Sequence, residues 1–276
     1  MKESYFKNKG LYYRTNNFEK GRPTLVFIHG LSGSSSAWIP YEKIFNNNYQ
    51  NKYNILTYDI RGHGMSKKYP NYKDYKIKNM AEDLNDLLTS LDVSKVSLIS
   101  HSFGALIALE YIKLNEENVS SNILLSPISD LNKNLSTKFL RIILKLSKIF
   151  NLFSFNPKKG GHVDYTKHLN TTDWDIKRIY PDIQNTTLRT YLYCLRQSLG
   201  LPSKELLRKI KTPTLIVHGL KDTMVSVKNS IIMSKNIKNS EFFIFPNADH
   251  FAIFSNIQEI SEAIDSFLNK NKKTFS

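Results

Sequence analysis

Apolar residues along this chain fall into two kinds of run. Short stretches such as Thr24-Leu25-Val26-Phe27-Ile28, Tyr53-Asn54-Ile55-Leu56-Thr57-Tyr58, Val96-Ser97-Leu98-Ile99, Ile123-Leu124-Leu125, Thr214-Leu215-Ile216-Val217 and Glu241-Phe242-Phe243-Ile244-Phe245 are of strand length and show little alternation. That is the pattern of strands buried on both faces of a parallel sheet. Elsewhere apolar residues recur every three or four positions. Met80, Leu84, Leu87, Leu88 and Leu91 predict a helix over 77–91, and further helices are expected over 103–114, 227–237 and 258–268. Residues 4–7 and 11–15 suggest an opening hairpin around Gly10. Strands alternating with helices predict a doubly wound, mostly parallel α/β sheet, with active groups on the loops at the carboxyl ends of its strands. The alternation breaks over 130–205, which divides the chain into a core of 1–129 and 206–276 and a helical insertion of 130–205.

The run at Val96 stops at Ser100-His101-Ser102-Phe103-Gly104 and resumes with helical spacing, so strand, sharp turn and helix follow directly. A serine at the apex of such a turn is held in a strained backbone conformation with its hydroxyl clear of the sheet. Ser102 is that serine. The usual form is G-x-S-x-G, and Ser100 stands at the first glycine position, small enough for the turn to survive. A serine hydroxyl is a poor nucleophile until a base takes its proton and a carboxylate orients that base. His250 lies in the loop after the last predicted strand and Asp222 in the loop after the strand before it, so both share the carboxyl edge with Ser102. Asp249 adjoins His250 too closely to orient its ring easily, whereas Asp130, which follows the strand before the insertion, remains a rival to Asp222. A tetrahedral intermediate also needs backbone N–H donors. The amide of Phe103, at the start of the elbow helix, and that of Leu31, in the small-residue loop His29-Gly30-Leu31-Ser32-Gly33, are placed to supply an oxyanion hole. That loop lacks the G-K-[ST] and G-x-G-x-x-G patterns, so nucleotide binding is set aside.

Composition and charge refine this. Cys194 is the only cysteine, which excludes an intrachain disulfide and a cysteine-rich metal site. No apolar run is long enough for a transmembrane helix, and Met1 to Gly10 lacks the apolar core of a secretory signal, so a cytoplasmic location is expected. A net charge of +15 invites a nucleic-acid or anionic-membrane partner. Lysines scattered through a Lys- and Asn-rich chain, with no recognisable module of basic and aromatic residues, argue against nucleic acid. The excess is concentrated over 131–205, where 13 lysines and arginines face 5 acids. Within it, 137–153 reads as a helix with Arg141, Lys145 and Lys148 in one stripe and Leu140, Ile143, Leu144, Leu146, Ile149, Phe150 and Phe153 over most of the remainder. Two uses stay open: a lid whose apolar face lines an acyl pocket, or a face pressed onto an anionic membrane. Both favour a lipid-like acyl substrate.

Five motifs in order carry a likeness: His29-Gly30-Leu31-Ser32-Gly33, Asp59-Ile60-Arg61-Gly62-His63-Gly64-Met65-Ser66, Ser100-His101-Ser102-Phe103-Gly104, Gly219-Leu220-Lys221-Asp222 and Asp249-His250. Together they resemble the α/β-hydrolase fold family, and in particular its serine esterase, monoacylglycerol lipase and lysophospholipase-like branch, over about residues 20–270. The resemblance implies an eight-stranded hydrolase sheet with 130–205 as a cap. It also implies a Ser102, His250, Asp222 triad in the family's chain order, and ester hydrolysis through an acyl-enzyme without metal or organic cofactor. It further implies that Asp59 and Arg61 are structural, and that His63 and His101 pack or hydrogen-bond. Thioester and C–C bond cleavage on the same triad stay open, as does a non-catalytic ligand-binding module on this scaffold.

Overall fold

The computed structural model describes residues 1–49, 52–129, 142, 144–169 and 171–271. Eight strands form one sheet: β1 (Lys2–Phe6), β2 (Leu11–Thr15), β3 (Thr24–Ile28), β4 (Asn54–Tyr58), β5 (Val96–His101), β6 (Val119–Leu125), β7 (Thr214–Gly219) and β8 (Ser240–Phe245). Their order is β1-β2-β4-β3-β5-β6-β7-β8. The hairpin of β1 and β2 is antiparallel and joins antiparallel to β4; every other pairing is parallel. In a parallel sheet covered on both sides each strand buries both of its faces, which is why these runs show no polar alternation. The pleat sends Val26, Ile28, Leu56 and Leu98 into one layer, and Leu25, Phe27, Ile55 and Ile99 into the other.

Helices α2 (Ile77–Ser90) and α3 (Gly104–Asn115) cover the first layer, and α1 (Ile39–Asn48) and the terminal helix Ile257–Lys270 cover the second. The chain leaves β3 toward β4 on one side and returns through α2 to place β5 on the other. The loops after β3 and β5 therefore diverge and open a crevice at the carboxyl edge, the place where doubly wound sheets bind ligands. His29-Gly30-Leu31 and Ser102 flank that crevice.

Two expectations need correcting. Strand β6 begins at Val119 rather than near Ile123, because Ser120, Ser121 and Asn122 are buried in mid-sheet despite their polarity. The helix expected over 137–153 lies partly outside the described residues. Within them, residues 144–146 are helical and give way to a 3₁₀ turn over Ser147–Leu152. Ser147 Oγ donates to Leu144 O (2.6 Å) and Arg196 Nη1 to Lys145 O (2.7 Å), taking carbonyls that a continuing α-helix would use. Helix α1 is an addition: Trp38 to Asn48 carries too little helical periodicity to predict it.

After β6 the chain forms α4 (Ile176–Thr186), α5 (Leu188–Gln197) and α6 (Lys204–Lys209) before re-entering the sheet. This stretch meets the carboxyl edge through polar contacts: Ser36 Oγ donates to Val163 O (2.9 Å), Thr186 Oγ1 to Ser32 O (3.0 Å), and His162 Nε2 reaches Asp59 Oδ2 (2.8 Å).

Candidate active site

The turn after β5 is built by what its small residues permit. Ser102 has φ +50°, a left-handed conformation that costs a non-glycine residue about 1–3 kcal/mol. Hydrogen bonds hold it there. Ser102 N donates to Leu125 O (2.9 Å), and Ser102 O accepts from Ala105 N and Ile128 N (both 3.1 Å). A Cβ at Gly104 would stand 2.6 Å from Ile28 O and 2.7 Å from His29 O, so a glycine is needed where the elbow helix crosses β3. The Ser100 hydroxyl donates to Ile123 O (3.2 Å), which explains how the turn accepts serine at the first glycine position.

His250 Nε2 lies 2.9 Å from Ser102 Oγ, and His250 Nδ1 lies 2.7 Å from Asp222 Oδ2. With Nδ1–H donating to the carboxylate, Nε2 is left to accept from the serine hydroxyl. Asp222 is brought there by Gly219, where a Cβ would stand 2.4 Å from both Ala248 O and Asp249 O; the end of β7 thus presses directly on the loop that carries His250. The Asp222 side chain is shut off from solvent, and burial alone would raise its carboxyl. Hydrogen bonds from His218 and His250 and from the Val225 amide (2.7 Å to Oδ1) outweigh this and hold it well below the usual carboxylate range. Met224 N donates to Oδ1 as well (2.9 Å). Asp222 therefore stays ionised at any pH where a histidine could act as a base.

Three further residues, which carry no signal in the sequence, support this arrangement. His218, at the end of β7 and fully buried, places Nε2 3.1 Å from both Asp222 Oδ2 and Val225 O, while Nδ1 lies 2.7 Å from Ser230 Oγ. Two acceptors at Nε2 fix the proton there, so His218 donates to the same carboxylate oxygen that His250 reaches. Asp173, from the stretch between β6 and β7, is buried; its Oδ1 accepts from His250 N (2.8 Å) and its Oδ2 from Thr223 N (2.8 Å) and Thr223 Oγ1 (2.6 Å). One carboxylate thus ties the histidine loop to the aspartate loop. The third is Arg178. No local pattern marks any of them, since each acquires its role from a contact far along the chain.

Among the other expected residues, His101 donates from Nε2 to His250 O (3.0 Å), with its ring 4.9 Å from that of His250; burial pushes its imidazole down to about 3, so it is neutral. Asp59 accepts from Ser35 N and Met65 N (both 2.7 Å), Arg61 clasps Asp83 through Nε and Nη2 (both 2.5 Å), and His63 Nδ1 lies 3.1 Å from Arg61 O. These form a turn beside the site rather than the site itself. Asp249 Oδ1 accepts from Phe251 N (2.9 Å), away from the His250 imidazole. Asp130 lies outside the described residues. The amides of Leu31 and Phe103 meet no protein acceptor among the described residues. A Cβ on Gly30 would stand 3.3 Å from Ser102 Cβ, which shows how closely the Leu31 loop passes the elbow.

Ser102 and His250 open into a cavity of about 390 Å³ whose wall is mainly apolar, including Leu31, Ile183, Leu195, Met224 and Phe251. A larger depression of about 620 Å³ near Arg14, Glu42 and the N-terminus lies away from Ser102 and His250.

A strained serine on a strand–turn–helix elbow, in contact with a histidine that is itself held by a buried aspartate on an eight-stranded doubly wound sheet, defines the α/β-hydrolase class. The family model for the alpha/beta hydrolase fold matches residues 23–257, and the chain belongs to that family. It is 26% identical over 300 residues to a proline iminopeptidase of Saccharolobus solfataricus, covering 98% of this chain and 93% of that one. It is likewise 26% identical over 272 residues to a non-heme chloroperoxidase of Kitasatospora aureofaciens, covering 94% and 96%. A thermophilic esterase from Thermogutta terrifontis shares the fold with a TM-score of 0.70 at 18% identity, over 95% of this chain and 93% of that one. These names span peptide, halide and ester chemistry, so membership of the family leaves the substrate to be argued from the site.

Proposed function

We propose that the protein is a serine hydrolase that cleaves a carboxylic ester of a lipid-like or acyl substrate. The observation that carries this is the unbroken relay from Ser102 Oγ through the His250 ring to Asp222, with contacts of 2.9 and 2.7 Å, opening into an apolar cavity. Ser102 Oγ attacks the ester carbonyl carbon as His250 Nε2 takes its proton. The negative charge passes to the carbonyl oxygen, which accepts hydrogen bonds from the Leu31 and Phe103 amides. His250 returns the proton to the leaving alcohol as the C–O bond breaks, leaving an acyl-Ser102 ester. Water, deprotonated by His250, attacks that ester, and the collapse of the second intermediate releases the acid and reprotonates Ser102. Asp222 fixes the His250 tautomer and stabilises the imidazolium formed at each step. Residues 130–205 act as the cap that closes the cavity.

The test is fluorophosphonate labelling and hydrolysis of an ester series of increasing acyl length by wild type and Ser102→Ala. Labelling at Ser102 and loss of turnover in the variant support the reading; undiminished turnover in the variant overturns it. Thioester and C–C substrates belong in the same panel, since the triad serves all three. A second contact is proposed for the cap. Ile142, Leu146, Ile149, Leu152 and Phe153 are exposed beside exposed Lys145 and Lys148, a pairing of apolar and basic groups suited to an anionic membrane surface.

A further inference from the structure

Arg178 stands in the wall of the substrate cavity, is fully buried, and is the only lysine or arginine among the described residues that line it. A buried charge is costly unless it is paired and hydrogen-bonded. Of the five N–H donors of its guanidinium, the two on Nη2 go to Thr172 O (3.2 Å) and Asp173 O (3.1 Å). Nε and Nη1 have no partner among the described residues, which leaves three donors unused. No carboxylate of the described residues lies within ion-pair distance of it. Asp182, one helical turn along α4, is engaged instead by Tyr165 OH (2.5 Å), and burial pushes its carboxyl up to about 7, so it is an incomplete counter-charge near neutrality.

The guanidinium is also held in place. Its Cζ lies 3.3 Å from the centre of the Phe251 ring, which stacks on Phe254 at 5.8 Å with 3° between planes. Phe251 follows His250, and the two rings are 5.2 Å apart. The cation is thus separated from the catalytic imidazole by one aromatic ring, within the same cavity as Ser102. A neutral lipid ester would use the apolar wall and leave a desolvated, underpaired guanidinium in place.

We infer that Arg178 forms an anion subsite of the substrate cavity, so that the substrate is an ester carrying a carboxylate group separated from the scissile carbonyl by a short apolar spacer. This rests on the serine-hydrolase reading and narrows it from acyl esters in general to anionic ones. Arg178 acts on selectivity and binding rather than on the bond-breaking step. A charge-assisted hydrogen bond in a water-poor site corresponds to roughly 10- to 100-fold in discrimination.

The experiment compares methanol release from monomethyl glutarate and from methyl pentanoate, which match in chain length and differ in the terminal carboxylate. Wild type, Arg178→Gln, Arg178→Lys and Ser102→Ala are assayed as full chains. Wild type is expected to favour monomethyl glutarate at least about tenfold in kcat/KM. Arg178→Gln is expected to remove that preference chiefly through KM, and Arg178→Lys to keep part of it. A wild-type preference for the neutral ester, or a selectivity ratio unchanged within twofold in Arg178→Gln, overturns the subsite while leaving the triad standing. Turnover that persists in Ser102→Ala overturns the hydrolase reading instead. Calorimetric binding of monomethyl glutarate to Ser102→Ala, with and without Arg178→Gln, judges the subsite without turnover: binding lost with the arginine supports it, and equal binding refutes it. If Arg178→Gln fails to fold by near-ultraviolet circular dichroism, the Arg178→Lys pair decides, since a purely structural role would leave the glutarate-to-pentanoate ratio at its wild-type value.

Discussion

Replacing Asp173 by asparagine tests whether the stretch between β6 and β7 holds the His250 and Asp222 loops in register. The carboxylate accepts three hydrogen bonds, one from His250 N and two from Thr223, and all three donors carry their own protons. An asparagine has one acceptor oxygen and an NH₂ that can only donate. Turned toward Thr223, the amide nitrogen opposes the Thr223 N–H; turned toward His250, it opposes the His250 N–H. In either orientation at least one charge-assisted bond is lost and a buried N–H is left facing a donor, at a cost of about 2–4 kcal/mol. For a chain of this size that corresponds to a fall in melting temperature of roughly 5–12 °C. The displaced loop carries His250, the proposed base, and a shift of about 1 Å at such a group costs up to about 100-fold in rate. Thermal and urea unfolding, read beside kcat on a short-chain ester, measure both effects. Stability within about 0.5 kcal/mol of wild type together with an unchanged kcat would refute the bracing role.

Three further outcomes follow from particular contacts. Gly104→Ala puts a methyl group 2.6 Å from Ile28 O and should cost about 1–3 kcal/mol in urea unfolding and lower kcat, because the elbow helix must retreat from β3; an unperturbed variant contradicts that crowding. Burial raises the Asp182 carboxyl to about 7, against an unfolded value near 4, so between these the folded chain keeps a proton that the unfolded chain has released. This group's stabilising share is therefore complete below about pH 4 and lost as pH climbs to about 7. The stability of Asp182→Asn relative to wild type should accordingly rise from pH 5 to pH 8, by roughly 2–3 kcal/mol, and parallel pH curves in urea titrations would sink the assignment. Lys145→Glu with Lys148→Glu should reduce co-flotation with phosphatidylserine vesicles without altering turnover of a water-soluble ester; undiminished flotation removes the membrane contact.

What could be read from the chain alone follows from how locally each feature is encoded. The strands are legible because burial on both faces makes them continuous apolar runs, and Ser102, Asp222 and His250 are legible because each sits on a short loop directly after such a run. Leu31 and Phe103, the proposed oxyanion donors, are placed by the same logic. Strand β6 extends beyond its apolar run because the polar Ser120, Ser121 and Asn122 also lie at 0–1% exposure in the middle of the sheet, where polarity hides their burial. Asp173, Arg178 and His218 leave no trace in the sequence for another reason. The sequence separation of 77 residues between Asp173 and His250, and the stacking of Arg178 on Phe251, are products of tertiary packing that leave no periodicity. The same packing interrupts the segment after residue 146, where Arg196 takes a main-chain carbonyl.

The bracing carboxylate also bears on how this scaffold can be re-engineered. Changing specificity by replacing the stretch between β6 and β7 with that of another hydrolase would remove Asp173 along with Arg178, and the graft would then inherit a loosened His250 loop as well as a new pocket. A chimera that keeps an aspartate opposite Thr223 and the His250 amide separates the two properties, letting that stretch be exchanged while the two loops it ties keep their register.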